Sequence, residues 1–302
     1  MNFHHIPVLP QKTVELLNVR PEGIYVDGTA GGGGHSALVL ERLTTGRLIC
    51  LDRDPDAISA LNERFSNRVT IIQTNFADMA YVLHEQGVDK VDGILLDLGV
   101  SSHQLDTPER GFSYHVKAPL DMRMGQSGLT AAEFLDSVDQ KTLAQIIYGY
   151  SEEKFSSRIA SAIKEAGPIE DTLRLAEIIS RAVPAAVRRD GHPARKTFQA
   201  IRMAVNEELQ SLERALSSAF DLLKPGGRLA VITFHSLEDR PVKQFMVSQI
   251  KACICPPDFP VCICGKTPSG RLINKKPFVA DEEELKQNPR AKSAKLRVIE
   301  KI

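Results

Sequence analysis

From Ile24 to Asp97 the sequence alternates short apolar runs with amphipathic stretches, and this alternation limits the chain to few folds. The runs are Ile24-Tyr25-Val26-Asp27, Arg47-Leu48-Ile49-Cys50-Leu51-Asp52, Val69-Thr70-Ile71-Ile72 and Val91-Asp92-Gly93-Ile94-Leu95-Leu96-Asp97. Unbroken apolar stretches of this length read as strands buried on both faces, the mark of a parallel sheet. Between them, residues 35 to 45, 55 to 65 and 77 to 86 carry apolar residues at helical spacing. The resulting βαβαβαβ order predicts an α/β, Rossmann-like sheet wound with helices. Such a sheet takes ligands in the crevice beyond the carboxyl ends of its strands.

After Asp97 the pattern breaks. A stretch containing Gly, Ser and Pro leads into consecutive helical segments from about Thr130 to Val183, with no strand signal. The alternation returns with a periodic helix from about Ala194 to Leu223, the turn Lys224-Pro225-Gly226-Gly227 and a strand over 228 to 234. A last strand is expected over 295 to 299, reached through a Pro-, Gly- and Lys-rich loop from 256 to 292. We therefore expect a sheet domain formed by residues 1–105 and 201–302, with an all-helical domain of residues 106–200 inserted into it. No run of ~18 apolar residues is present to cross a bilayer. The first residues lack the basic and apolar pattern of a secretion signal, so the expected location is cytoplasmic, with no membrane partner. Lys plus Arg equals Asp plus Glu at 38 each. A nucleic-acid partner would have to be held by local basic patches.

The first strand runs into Asp27-Gly28-Thr29-Ala30-Gly31-Gly32-Gly33-Gly34-His35-Ser36, which opens the first helix. Glycines at that place let a ligand lie against the backbone and permit positive φ. The spacing is not G-x-G-x-x-G and no G-K-[ST] follows, so a nucleoside-like ligand without a pyrophosphate is implied. Asp52 ends the second strand, where a carboxylate accepts both ribose hydroxyls of such a ligand. Asp54 precedes Pro55 and is assigned to helix capping. Phe76, just past the third strand, either stacks on an adenine or belongs to the core.

Further along, the residues become more specific. Asp97-Leu98-Gly99-Val100-Ser101-Ser102-His103-Gln104-Leu105-Asp106, Arg110-Gly111-Phe112-Ser113-Tyr114, Pro119-Leu120-Asp121-Met122-Arg123-Met124, residues 192 to 202, residues 234 to 240 and residues 288 to 297 resemble the RsmH (MraW) family of 16S rRNA cytosine-N4 methyltransferases. The resemblance runs from His5 to the C-terminus. It implies the class I methyltransferase fold, S-adenosyl-L-methionine as cofactor, and a cytidine of 16S rRNA in the decoding region, held within the 30S subunit, as substrate. It implies cofactor contacts at Gly33, Gly34, His35, Asp52, Phe76, Asp97 and Gln104.

For catalysis the expectation is Asp97, with His235 and Asp121 as weaker candidates, and no catalytic metal. Asp97 would hold the cofactor amino group or accept a hydrogen bond from the target amine. Many amino-methyltransferases carry Asp/Asn-Pro-Pro-aromatic after the fourth strand, but here that tetrad is Asp97-Leu98-Gly99-Val100. The aromatic that stacks on the flipped base must come from elsewhere, with Phe112, Tyr114, Phe198 and Phe234 as candidates. Glu238 and Asp239 either border the crevice or cap the helix after Ser236. A DNA amino-methyltransferase and a ribosome-assembly factor that merely retains the pocket are the competing readings. Oligomeric state is not legible.

Two basic stretches could grip phosphate. Residues 188 to 202 hold Arg188, Arg189, Arg195, Lys196 and Arg202 against Asp190, and residues 265 to 302 hold ten basic against five acidic side chains, including Lys275, Lys276, Arg290, Lys292 and Lys295. Finally, Cys253-x-Cys255 and Cys262-x-Cys264 frame a Pro-rich loop. The spacing departs from the usual C-x₂₋₄-C of zinc knuckles, and the resemblance supplies no metal, so reduced thiols are expected there, while Cys50 reads as core.

Overall fold

Helix α1 (Pro10–Leu17) precedes the expected alternation of β1 (Ile24–Asp27), α2 (Gly34–Leu40), β2 (Arg47–Asp52), α3 (Pro55–Phe65), β3 (Thr70–Gln73), α4 (Met79–Glu85) and β4 (Val91–Asp97). This is seen in a computed structural model that describes residues 7–185, 192–253, 255, 261 and 263–302. The chain divides into two compact units, Met1–Gly99 with Gln210–Ile302, and Val100–Leu209.

In the first unit, β5 (Leu223–Thr233), β6 (Gly270–Leu272) and β7 (Lys295–Lys301) join the first four strands. Among the described residues they make a seven-stranded sheet in the order β3-β2-β1-β4-β5-β7-β6. Strands β1 to β5 pair in parallel, while β7 runs antiparallel to both β5 and β6. Strand order reverses between β1 and β4, so the topological switch point lies where Asp27 and Asp97 end their strands. In β4 every residue except Asp97 is buried. Ile94, Leu95 and Leu96, each worth ~1.5–3 kcal/mol on burial, fix the strand that carries Asp97.

Asp92, nearly the first residue of β4, is a buried carboxylate that ties three segments together. It accepts from the Ile24 N–H at 2.8 Å, from Lys224 Nζ at 2.8 Å and from Arg20. Burial pushes its pKa up, but the bonds and charges of Lys224 and Arg20 outweigh that and leave it below the usual carboxylate range. Asp54 caps α3 as expected, accepting from the Asp56 N–H at 3.1 Å with Pro55 in the first helical position.

Three expectations are corrected. The strand expected over 228 to 234 begins at Leu223 and takes in the Lys-Pro-Gly-Gly turn, which bulges where the register jumps between Val91 and Gly93 and where Gly226 has φ +78°. The loop expected from 256 to 292 contains β6 and the short helix α13 (Glu282–Gln287), too brief for periodicity to reveal. The single helix expected from 194 to 223 is two helices, α10 (Ala194–Val205) and α11 (Glu208–Leu222), the second beginning in the helical unit and continuing in the sheet unit. The break is chemical. Buried Asn206 donates to the Met122 and Arg202 carbonyls at 2.7 and 2.8 Å and accepts from the Met124 N–H at 2.7 Å, while Glu207 turns left-handed at φ +50°. A side chain that competes for backbone groups in this way ends a helix.

The second unit is helical: α5 (Ser102–Asp106), α6 (Ala131–Ser137), α7 (Gln140–Ser151), α8 (Ser156–Glu165), α9 (Thr172–Ala182) and α10 pack around Leu143, Ile147, Ile159, Ile163, Leu175, Ile179 and Ile201. Thr130 and Glu133 close a capping box on α6. Its limits, Val100 and Leu209, lie outside those drawn from the composition shift at 106 and 200. No described helix is long and apolar enough to cross a membrane.

Candidate active site

The carboxyl ends of β1, β2 and β4 each finish on an aspartate, and together they build an acidic edge. Asp27 is buried; it accepts from Ser36 Oγ at 2.6 Å and from the Thr29 N–H at 3.2 Å. Loss of hydration, with the Asp52 charge adding to it, pushes its pKa up to about 6. Asp52 accepts from the Gly31 N–H at 2.8 Å through one oxygen and from the Asp54 N–H at 2.9 Å through the other. Burial likewise pushes it up to about 6, against these hydrogen bonds. Arg53 supplies a third backbone donor, and a carboxylate has about four lone-pair positions, so acceptor capacity remains for a ligand hydroxyl.

The turn between β1 and α2 is held from below. Gly28 N–H donates to the Leu95 carbonyl at 2.9 Å and Ala30 N–H to the Leu51 carbonyl at 3.0 Å. A Cβ on Gly28 would sit 2.6 Å from the Leu96 side chain, and Gly33, at φ +75°, would drive one to 2.6 Å from the Phe65 ring. Gly33 therefore requires glycine, and at Gly28 a side chain would force Leu96 to shift. Helix α2 begins at Gly34, so the N–H groups of Gly34 and His35 belong to the first turn, which has no intrahelical acceptors.

The His35 side chain is buried at 5% exposure, with Nε2 2.9 Å from the Val8 carbonyl and Nδ1 3.6 Å from Asp97 Oδ2. The Val8 contact assigns the proton to Nε2. His35 therefore offers a ligand its backbone, while its ring faces Asp97.

Asp97 is the most perturbed group of this edge. Its N–H donates to Thr29 Oγ1 at 2.6 Å, which locks β4 to the glycine turn. Burial first, and the charges of Asp27 and Glu238 second, hold its carboxyl well above the usual range. Its Oδ1 is buried without a hydrogen-bond partner. Orphaned acceptors are rare in folded proteins because each costs ~1–3 kcal/mol. Here the acceptor stands at the switch point of the sheet.

His235 follows β5 and precedes α12 (Ser236–Ile250). Its Nε2 lies 2.9 Å from Glu238 Oε1, but off the direction of a hydrogen bond, and neither ring nitrogen has a partner. Glu238 accepts from the Phe234 N–H at 2.9 Å, whereas Asp239 is held by Arg297 at 2.7 Å and Lys295 at 3.3 Å. The Ser236 capping pattern is thus not formed. The residue before α12 is His235, with no side-chain cap, and Glu238 reaches back to Phe234 instead.

Phe76 is half-buried and packs partly on the core beneath β3. The remaining expected residues lie in the helical unit. Gln104 is buried and closes a capping box with Ser101, each side chain bonding the other's N–H at 3.0 and 3.1 Å. Asp121 forms a two-pronged ion pair with Arg123 at 2.7 and 2.8 Å; burial raises its pKa, and Arg123, helped by Arg110, outweighs this so that it falls below the usual range. Local structure thus accounts for both side chains. Of the aromatic candidates, Phe112 and Phe198 are core of that unit and Phe234 packs against the sheet core. Tyr114 is half-buried and stacks on His192 at 4.5 Å.

Among the basic residues, Arg202 is taken by Glu208 through bonds of 2.7 and 2.9 Å, and Lys295 by Asp239. Arg195, Lys196, Lys275, Lys276, Arg290 and Lys292 are exposed, while Arg188, Arg189 and Cys262 lie outside the described residues. Sequence reading passed over Asp27, and left Glu238 as either a crevice residue or a helix cap. The signal was present: Asp27 ends β1 as Asp52 ends β2 and Asp97 ends β4.

A profile of the MraW methylase family matches residues 2–302. The chain is 54% identical to the ribosomal RNA small subunit methyltransferase H of Heliobacterium modesticaldum, covering all of both chains. It is also 54% identical to the protein of the same name from Symbiobacterium thermophilum, over 100% of this chain and 98% of that one. Among solved structures, an rRNA methylase from Streptococcus thermophilus aligns over 97% of this chain and 93% of its own at 11% identity, with a TM-score of 0.44.

Proposed function

This chain belongs to the MraW methylase family, and from that premise we propose that it transfers a methyl group to the exocyclic N4 of a cytidine in small-subunit ribosomal RNA, with Asp97 receiving the amine. The observation that carries the reading is the partnerless buried Oδ1 of Asp97 at the switch point. S-adenosyl-L-methionine is the methyl donor and, when bound, supplies an electrophilic methyl group on a cationic sulfur. The edge suits such a ligand. Asp52 keeps acceptor capacity for a ribose hydroxyl, Gly33, Gly34 and His35 offer backbone at the turn, and Phe76 flanks it. The acidic set of Asp27, Asp97 and Glu238 favours a cation, and the raised Asp97 ionises more readily once positive charge arrives.

An exocyclic cytosine amine is a weak nucleophile because its lone pair is delocalised into the ring. Acceptors that engage its N–H groups favour a pyramidal nitrogen, and alignment makes the displacement effectively intramolecular. Asp97 Oδ1 is such an acceptor. His235, whose ring nitrogens lack partners, is the second polar group proposed to face the base. Asp121 and Gln104 act by holding the helical unit in shape. The base must leave its stack to be reached, which single-stranded or splayed RNA permits most cheaply.

The relatives named above are small-subunit rRNA methyltransferases, and they support RNA over DNA as substrate; so does the absence of Pro-Pro-aromatic after Asp97. The test is transfer of tritiated methyl groups to undermethylated 30S subunits, free 16S rRNA and duplex DNA. Label on 30S or 16S RNA is expected. Label on DNA alone, or none despite measured cofactor binding, refutes the proposal.

A further inference from the structure

Between α12 and β6 the chain makes a long excursion, residues 251–269, that has no regular secondary structure among its described residues. Its base is closed: Ser269 donates to Gln249 through both its N–H, 2.9 Å from the carbonyl, and its Oγ, 2.7 Å from Oε1, and Lys266 Nζ reaches the Ser248 carbonyl at 2.9 Å. Among its described residues, Val261 and Ile263 are 69% and 74% exposed. Irregular segments of this length are uncommon in folded domains, so what holds this one needs an explanation.

Three cysteines meet inside it. The sulfurs of Cys253, Cys255 and Cys264 all lie within 4.8 Å of one another, and the Cys253 and Cys264 sulfurs are 3.8 Å apart. That separation is far beyond the ~2.05 Å of a disulfide. It equals the sulfur–sulfur edge of a tetrahedron with Zn–S bonds of ~2.3 Å, which is about 3.8 Å. The C-x-C spacing that argued against a knuckle is compatible with this arrangement, because residues i and i+2 of an extended chain point to the same side. Cys255 N–H also donates to Cys253 Sγ at 3.3 Å, a bond that favours the thiolate. Convergent sulfurs on an irregular loop are what a structural thiolate metal site requires.

We propose that Cys253, Cys255 and Cys264 are ligands of one soft divalent cation of the zinc class, which staples the 251–269 loop. The site is independent of the methyl-transfer reading, since none of its residues belongs to the acidic edge.

The test uses the full-length protein, purified under reducing conditions without chelator. Elemental analysis is expected to find about one zinc per chain, and none in Cys253→Ser/Cys264→Ser. Replacement by Co2+ is expected to give the sulfur-to-cobalt charge-transfer and visible bands of tetrahedral thiolate coordination in the wild type, with loss of both in the double variant. Chelation of the wild type is expected to speed proteolysis within residues 251–269 at least tenfold while cofactor affinity changes less than twofold. Cofactor affinity within twofold of wild type, measured on the double variant, establishes that it is folded. Metal-free wild type that takes up neither Zn2+ nor Co2+ at micromolar concentration overturns the proposal. So does an intact mass two units low under native purification, which identifies a disulfide.

Discussion

Replacing Asp52 by Asn removes one charge and one acceptor while preserving shape, and the consequences follow from its contacts. Each carboxylate oxygen already accepts a backbone N–H, from Gly31 and from Asp54. In Asn one of those oxygens becomes an NH2 facing an N–H donor, so the turn loses a bond before any ligand arrives. A hydrogen bond to a charged group contributes ~1.5–3 kcal/mol. Loss of one ribose bond with partial loosening of the turn comes to about 3 kcal/mol, on the order of 100-fold in Kd. Isothermal titration with S-adenosylmethionine measures it directly. The wild type should also lose affinity as pH falls through about 6, where Asp52 takes up a proton. In Asp52→Asn the residual titration belongs to Asp27 and Asp97. A folded Asp52→Asn whose Kd lies within threefold of wild type would refute the ribose assignment.

Other outcomes follow from the same contacts. Asp97→Asn should lower the rate of methyl transfer by on the order of 10²-fold or more in single-turnover assays. It should also leave the fold as stable or more so at pH 8, because a carboxyl raised in the folded state opposes folding once pH exceeds its unfolded value; a clear fall in thermal midpoint would contradict this. Asp92→Ala should cost about 2–3 kcal/mol in urea titrations at pH 7, less than a fully buried pair because Lys224 and Arg20 can turn to solvent. Since the Asp92 pKa is lowered, that difference should be fully present at neutral pH and vanish as the carboxylate protonates below pH 4. Asn206→Leu orphans the Met124 N–H and the Met122 carbonyl and should destabilise the helical unit by about 2–4 kcal/mol, with cofactor affinity of the sheet unit as the unaffected control.

The sheet could be read from the chain because β1, β2 and β4 are buried on both faces, so their sequences are apolar without interruption and end where an aspartate meets the crevice. The antiparallel return of β7 was legible as a strand but not in its direction. β6 was invisible, since three residues carry no periodicity and Gly270-Arg271-Leu272 owes its strand to pairing with β7. The break at Asn206 was hidden for another reason. An amphipathic stripe continues across it, and only the distant carbonyl of Met122 explains why Asn206 leaves the helix. In the candidate site, Asp52 and Asp97 were singled out as strand-end acids, and Asp27 ends β1 in the same way. The local ion pairs and caps made by Asp121, Gln104 and Arg202 are partners that no family motif distinguishes from ligand contacts. Glu238 and Asp239 were ambiguous because Ser236-x-x-Asp239 also fits a helix cap.

The most direct test of the account is mass spectrometry of nucleosides from undermethylated 30S subunits treated with S-adenosylmethionine and either wild-type protein or Asp97→Asn. N4-methylated cytidine from one rRNA position with the wild type, and its near absence with folded, cofactor-binding Asp97→Asn, is the predicted result. Methylation at carbon 5 or on another base, or equal N4-methylcytidine from both proteins, would contradict it.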